Sequence, residues 1–106
     1  MDRRAVAAVE IDPKGRLLVR PEAESVAAYE YIYREANGLR WDRERCSFCA
    51  YEPDRWEPVE LMKHLVATVG DAYNERLFIT NSTAWVCVPP ELERELRVVL
   101  AEGLQP

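Results

Sequence analysis

The chain has 106 residues, of which 48% are hydrophobic and 31% are charged, and this composition excludes a disordered or low-complexity chain. The formal net charge of -5 repels phosphate backbones, so we predict no nucleic-acid partner. No stretch approaches the roughly 18 apolar residues of a membrane span, and no secretory signal is evident at the N-terminus. We therefore expect a cytoplasmic protein with no membrane partner, folded as one domain over residues 1–106.

Two hairpins are predicted in the first half of the chain. Residues 5–11 and 16–20 are strand-like and flank Asp12-Pro13-Lys14-Gly15, where proline presets a turn dihedral and glycine permits a positive φ. Residues 39–42 and 45–51 alternate apolar and polar side chains with a period of two around Arg43-Glu44. This alternation indicates a second hairpin.

A helix is predicted between the two hairpins. Ser25 can cap it, and Asn37-Gly38 supplies its stop. At about 100° per residue one face gathers the inward residues Val26, Tyr29, Ile32, Tyr33 and Ala36. Tyr31 then lies on the opposite face, towards solvent.

The second half of the chain predicts two further helices separated by β-structure. Pro58 begins a helix with an apolar stripe that ends at Gly70 or Asn74, and a last helix follows Pro89-Pro90. The inward residues are Val59, Met62, Leu65, Val66 and Val69 in the first, and Leu92, Leu96, Val99 and Leu100 in the second. Residues 76–80 and 84–88 are two strands or one broken strand. The predicted fold is α+β, with an antiparallel or mixed sheet of four to five strands and about three helices packed on it.

Three cysteines and a single histidine raise the question of a metal site, because Cys46, Cys49, Cys87 and His64 make up four ligands. In a regular strand over residues 45–51, Cys46 shares the inward face of Trp41, whereas Cys49 points to the other face. His64 lies about 150° from the centre of its helix's apolar stripe and faces water. A redox Cys-x-x-Cys would normally open a helix. We therefore predict structural cysteines, with no metal and no cofactor.

No catalytic residue is predicted. His64 has no serine or cysteine at a spacing that would make it a nucleophile's partner. Four arginines with Trp41 and Trp56 could form a patch that stacks on nucleic-acid bases. Acidic residues interleave these arginines, so we predict local salt pairing instead; the arginines are Arg40, Arg43, Arg45 and Arg55, and the acids are Asp42, Glu44, Asp54 and Glu57. Tryptophans in this setting, Trp85 included, are more often core anchors.

Four segments of the chain resemble the sequences of a known protein family. They are residues 11–21 (IDPKGRLLVRP), 31–42 (YIYREANGLRWD), 55–69 (RWEPVELMKHLVATV) and 77–92 (LFITNSTAWVCVPPEL). They are similar to a family of small bacterial integron gene cassette proteins, in which an Ile-Asp turn and a Gly-Arg-Leu strand precede YIYREA and a Trp-Asp hairpin. The resemblance implies a compact α+β domain carried on mobile bacterial DNA and supplies no catalytic residue. Cys46 and Cys49 depart from the family pattern.

Two classes of function remain open. Tyr31 on the solvent side of the first helix and Trp56 at the start of the second are possible interface residues, because Tyr, Trp and Arg are enriched at binding hot spots. This favours a non-enzymatic, acidic interaction module that forms a homo-oligomer or binds another protein. The alternative is a small enzyme or small-ligand-binding protein, with a pocket between sheet and helices or at a subunit interface.

Overall fold

The computed structural model describes residues 2–22, 29–36, 38–50 and 55–102. In chain order these form β1 (Asp2–Ile11), β2 (Leu17–Pro21), a 3-10 helix (Tyr29–Arg34), β3 (Leu39–Asp42), β4 (Ser47–Ala50), α1 (Pro58–Tyr73), β5 (Glu75–Phe78), β6 (Ala84–Val86) and α2 (Pro90–Glu102). One mixed sheet with helices packed against it confirms the predicted α+β class.

The sheet has the strand order β3-β4-β2-β1-β5, and β6 also pairs with β1. The two predicted hairpins, β1–β2 and β3–β4, are antiparallel, as is the β2–β4 pair that joins them. β5 and β6 run parallel to β1 and pair with successive parts of it, residues 2–5 and 8–10. The segment predicted as two strands or one broken strand is therefore two short strands, which makes a sheet of six.

Asp12 closes the predicted turn between β1 and β2. Its Oδ1 accepts hydrogen bonds from the backbone N–H of Lys14 (3.0 Å) and Arg16 (2.8 Å), and its Oδ2 accepts one from Arg16 Nε (2.7 Å). Gly15 has a φ of +82°, which side chains with a Cβ rarely adopt. Burial alone would raise the pKa of Asp12, but the hydrogen bonds from Arg16 and Lys14 outweigh it and hold that pKa below its ordinary value.

The first predicted helix is, in its described part, wound more tightly than expected. Ser25 and Val26 lie outside the described residues, and the described part is a 3-10 helix. Three residues per turn align positions i and i+3, so Tyr29 and Ile32 are both buried.

The same tight winding decides where the next tyrosines point. Tyr33 follows Ile32 by one residue and leaves the buried face; its side chain is 54% exposed, so the prediction that it points inward is wrong. Tyr31 faces solvent as predicted and is 49% exposed.

The helices pack on one face of the sheet, where strand and helix residues share a single core. α1 begins at Pro58 and ends at Tyr73, and Asn74 caps it with a left-handed backbone whose N–H donates to the carbonyl of Gly70. The largest fully buried core side chains are Phe48, Ile32, Leu39, Met62, Leu65, Leu77, Leu96, Leu100, Val6, Val9, Val19 and Val69. From the inward residues predicted for the two α-helices, this set includes Met62, Leu65, Val69, Leu96 and Leu100.

The opposite face of the sheet carries no described helix and is called the open face below. Ala8, Leu18 and Cys49 are buried but stand outside the core cluster that includes the helices. They alternate along their strands with core residues, so they point to the open face.

Candidate functional site

Two exposed tyrosines and an arginine form a cluster on the 3-10 helix, named here the tyrosine patch (Tyr31, Tyr33 and Arg34). The two rings lie 6.5 Å apart between centroids. The Arg34 guanidinium lies over both, 4.7 Å from the centre of the Tyr31 ring and 5.7 Å from that of Tyr33. A cation over two ring faces holds both side chains in place. The patch is therefore a pre-assembled surface of aromatic area and positive charge.

The rim of the patch is charged. Glu30 forms an ion pair with Arg43 of the β3–β4 turn at 3.0 Å, and Glu35 is exposed just beyond Arg34.

The structure corrects the predicted local salt pairing of two arginines. Arg43 and Arg45 form ion pairs with Glu30 and Glu10, which lie in distant segments, rather than with acids of their own hairpin. Asp54, another predicted partner, lies outside the described residues.

The buried side of the 3-10 helix fixes the patch to the sheet through Tyr29. The Tyr29 hydroxyl donates a 2.6 Å hydrogen bond to Glu75 Oε1, and Arg4 donates to Glu75 Oε2 at 2.7 Å. Burial, together with the hydrogen bond and negative charge of Glu75, raises the pKa of Tyr29 well above its ordinary value. The Tyr29 ring also contacts Trp41 and Phe48 at centroid distances of 5.4 and 5.0 Å.

Trp56, the second predicted interface residue, is half-buried. Its ring stacks on His64 with centroids 5.0 Å apart and planes 10° from parallel. A Cβ placed on Gly38 would come within 3.0 Å of two Trp56 ring atoms, so the indole lies directly against this glycine. Gly38 follows the 3-10 helix closely, which places Trp56 near the end of that helix.

The contact with Trp56 also corrects the position of His64. The prediction that His64 simply faces water is wrong, because its ring is half-buried beneath the indole. A helical wheel cannot show this contact, since Trp56 precedes α1 and folds back along it from outside the helix.

The cysteines of the motif Cys-x-x-Cys lie in different elements. Cys46 is exposed in the β3–β4 turn with a φ of +50°, so the prediction that it begins the strand and points inward is wrong. Cys49 lies in β4 on the face opposite Phe48, as predicted, and is buried. Burial raises the pKa of the Cys49 thiol.

The described residues hold no group of three or more His, Cys, Asp or Glu side chains that could bind a metal. All three cysteines are free thiols, with Cys87 exposed beyond β6. Within the same described part of the chain, neither α-helix has both the length and the hydropathy to cross a membrane.

Sequence reasoning missed two members of the patch, Tyr33 and Arg34. An α-helical period of 3.6 places Tyr33 on the buried face, beside Tyr29. The spacing between Tyr29 and Ile32 fits a period of three equally well, and that reading would have exposed Tyr33. No local signal marks Arg34, whose role depends on how the two rings point.

Fold and site define a small α+β protein whose helices cover one face of a mixed sheet and whose 3-10 helix presents an aromatic cluster. The chain is similar to the integron cassette protein Hfx_Cass5, a solved structure from the mobile metagenome of the North West Arm sewage outfall. The two share 33% sequence identity over 95% of this chain and 98% of the other, with a TM-score of 0.44.

This chain belongs to the integron cassette proteins, and the resemblance read from its motifs is confirmed. The assignment rests on sequence identity along nearly the whole of both chains and not on the TM-score. No protein-family model matches the chain, and neither does any curated protein.

Proposed function

We propose that this integron cassette protein is a non-enzymatic, single-domain cytoplasmic module that pairs with a second copy of itself through the tyrosine patch. The observation that carries the proposal is the exposure of Tyr31 and Tyr33 on a helix whose other side is fixed in the core. Tyr and Arg are enriched where binding energy concentrates in protein interfaces.

The charges around the patch suit a contact between two identical surfaces. A two-fold interface brings each residue against a different residue of the same patch, so the patch must be complementary to itself. Arg34 and Glu35 are adjacent, exposed and of opposite sign. Two copies related by a two-fold axis can therefore form two reciprocal Arg34–Glu35 pairs around the tyrosine rings. This local pairing offsets the repulsion between two chains that each carry a formal charge of -5.

The attachment of the 3-10 helix lowers the entropic cost of pairing. Tyr29 is hydrogen-bonded to Glu75 and packed between aromatic rings, so the backbone beneath Tyr31 is held before a partner arrives. Ordering a mobile side chain at an interface costs about 0.5–1.5 kcal/mol. The cation–π contacts of Arg34 reduce that cost for both tyrosines.

Trp56 is a peripheral member of the proposed interface. It lies against Gly38, beyond the end of the 3-10 helix, and one face of its ring is already occupied by His64. Only its remaining exposed area is available to a partner. Tyr31 is therefore the central residue, and substitution of Trp56 should weaken pairing less than substitution of Tyr31.

Light scattering at micromolar to millimolar protein tests the proposal. The wild-type mass should rise from 12.3 kDa towards twice that value as concentration increases. Tyr31→Glu should remain monomeric, because it removes the central aromatic ring and puts in its place a carboxylate that pairing would desolvate. The matched control is Val98→Glu, which places the same charge on the exposed valine of α2 and should associate like wild type. A wild-type mass of 12.3 kDa at every concentration, or equal effects of the two substitutions, contradicts the proposal.

A further inference from the structure

The open face of the sheet has a second feature that the proposed self-association does not use. Ala8 of β1 pairs with Arg20 of β2, and Glu10 pairs with Leu18 on the same strands. These four residues alternate with core residues and therefore project from the open face. Ser47 of β4 joins them from the next strand. The centre of this face thus consists of small or apolar side chains bordered by charged ones.

These side chains enclose a depression of about 90 Å³ in the open face. Its lining consists of Ala8, Glu10, Leu18, Arg20, Arg45 and Ser47. Ala8 and Leu18 lie at its base but are almost fully buried, so its exposed lining is mostly polar. Pockets for drug-sized ligands measure roughly 300–1,000 Å³, so this depression suits a ligand of only a few heavy atoms.

The depression is positively charged in a chain that is negative overall. Two arginines and one glutamate line it, although the whole chain has a formal charge of -5. Arg45 crosses the face from the β3–β4 turn and pairs with the Glu10 carboxylate. Arg20 is exposed and forms no ion pair with any described residue. The Glu10 carboxylate therefore already pairs with Arg45 in the depression, and the Arg20 guanidinium can pair with the carboxylate of a ligand.

We infer that the depression binds a small carboxylate anion, whose carboxylate pairs with Arg20. A guanidinium presents two parallel N–H donors that match the two oxygens of a carboxylate. The Glu10 carboxylate limits the total negative charge that the site accepts, and this disfavours a phosphate dianion.

The site lies on the face of the sheet opposite the helices, so it differs from the pocket between sheet and helices that the alternative function predicts. Arg20 and Leu18 belong to β2, in the interior of the sheet order. The ligand would therefore rest on a rigid element. Its binding does not require the chain to pair with a second copy.

Titration of the ¹⁵N-labelled protein with sodium butyrate at constant ionic strength tests this inference. We expect a Kd of about 1–10 mM, the affinity of a few-atom ligand held by one charged pair. The amide resonances of Ala8, Leu18 and Ser47 should shift most. Arg20→Gln should weaken binding about tenfold, because it removes the charge-assisted pair. Arg94→Gln, an exposed arginine on α2, is the matched control and should bind like wild type.

Sodium phosphate and butanol complete the test. Both should bind at least fivefold more weakly than butyrate, since the Glu10 carboxylate repels the phosphate dianion and butanol lacks the charge. The inference is overturned by any of three results: butyrate shifts confined to other parts of the chain, equal binding by Arg20→Gln and wild type, or phosphate binding as tightly as butyrate. Arg20 is exposed, and a wild-type-like spectrum of the free variant will confirm that Arg20→Gln is folded.

Discussion

Replacing Gly38 by alanine should destabilise the protein more than the same change at Gly15, because only Gly38 lies against a tryptophan. Both glycines have left-handed backbones, with φ values of +88° and +82°. For a residue with a Cβ this conformation costs about 1–2 kcal/mol. Alanine also lowers the conformational entropy of the unfolded chain relative to glycine, which stabilises the folded state by about 0.4–1 kcal/mol. The backbone contribution is therefore a net loss of about 1 kcal/mol at each position.

The two sites differ in their surroundings. A Cβ at Gly15 meets no atom within 4 Å, whereas at Gly38 it would lie 3.0 Å from two ring atoms of Trp56. Relieving that contact means moving an indole that also stacks on His64, and overpacking of this kind costs about 1–3 kcal/mol. We therefore expect Gly15→Ala to lose about 1 kcal/mol and Gly38→Ala about 2–4 kcal/mol.

Urea unfolding followed by tryptophan fluorescence measures both losses. A double-mutant cycle with Trp56→Ala then tests whether the extra loss at Gly38 comes from its contact with Trp56. In a Trp56→Ala background the clash disappears, so the two glycine substitutions should cost the same. Equal losses in the wild-type background, or an unchanged excess at Gly38 after Trp56 is removed, would refute the packing described for Trp56.

Three further predictions concern buried polar and thiol groups. Tyr29→Phe should lower the free energy of unfolding by about 1–3 kcal/mol, since it removes a hydrogen bond to a buried carboxylate; a loss below about 0.5 kcal/mol in urea unfolding would contradict this. In the folded protein, a thiol reagent at pH 8 should label Cys46 and Cys87 and spare Cys49, as read by mass spectrometry, because burial shields that sulfur and raises its pKa. Asp12→Asn should be less stable than wild type at neutral pH. Calorimetry should show that the difference in free energy of unfolding between the two proteins becomes smaller as the pH falls below about 4. Folding lowers the pKa of the Asp12 carboxyl. The ionised carboxylate therefore stabilises the fold above the unfolded-state pKa, and this stabilisation is lost as the carboxyl is protonated in the folded state.

The fold class and both hairpins follow from local sequence patterns. Alternation with a period of two correctly places Trp41 in the core and Cys49 on the opposite face, whereas Cys46, which it places inward, lies in the turn. The Pro-Gly turn and the apolar stripe of α1 are likewise local signals. Such features need no knowledge of distant parts of the chain.

The winding of the first helix was not predictable from its apolar spacing. A 3-10 helix and an α-helix both place Tyr29 and Ile32 on one side, and they differ only in where Tyr33 points. The position of Tyr33 depends on how the segment packs on β3 and on the anchoring of Tyr29 by Glu75. That anchor joins residues 46 positions apart in sequence.

The features of the open face also depend on long-range geometry. The ion pair between Arg45 and Glu10 requires β4, β2 and β1 to be adjacent, an order that the sequence does not specify. The burial of Cys49 on this face likewise depends on which strands lie next to β4. Burial raises the pKa of the Cys49 thiol, and the positive charges of Arg40 in β3 and of Arg16 just before β2 oppose that rise. Sequence patterns place each of these residues on a face but do not place them next to one another.

Concentration-dependent ¹H–¹⁵N spectra of the wild-type protein test self-association through the tyrosine patch most directly. Between micromolar and millimolar samples we expect progressive shifts that cluster on residues 29–36 and are absent from Tyr31→Glu. Smaller shifts should extend to Gly38 and Trp56. Spectra that do not change with concentration, or shifts that cluster on α2 or on the open face instead, would contradict the proposal that this chain pairs through its 3-10 helix.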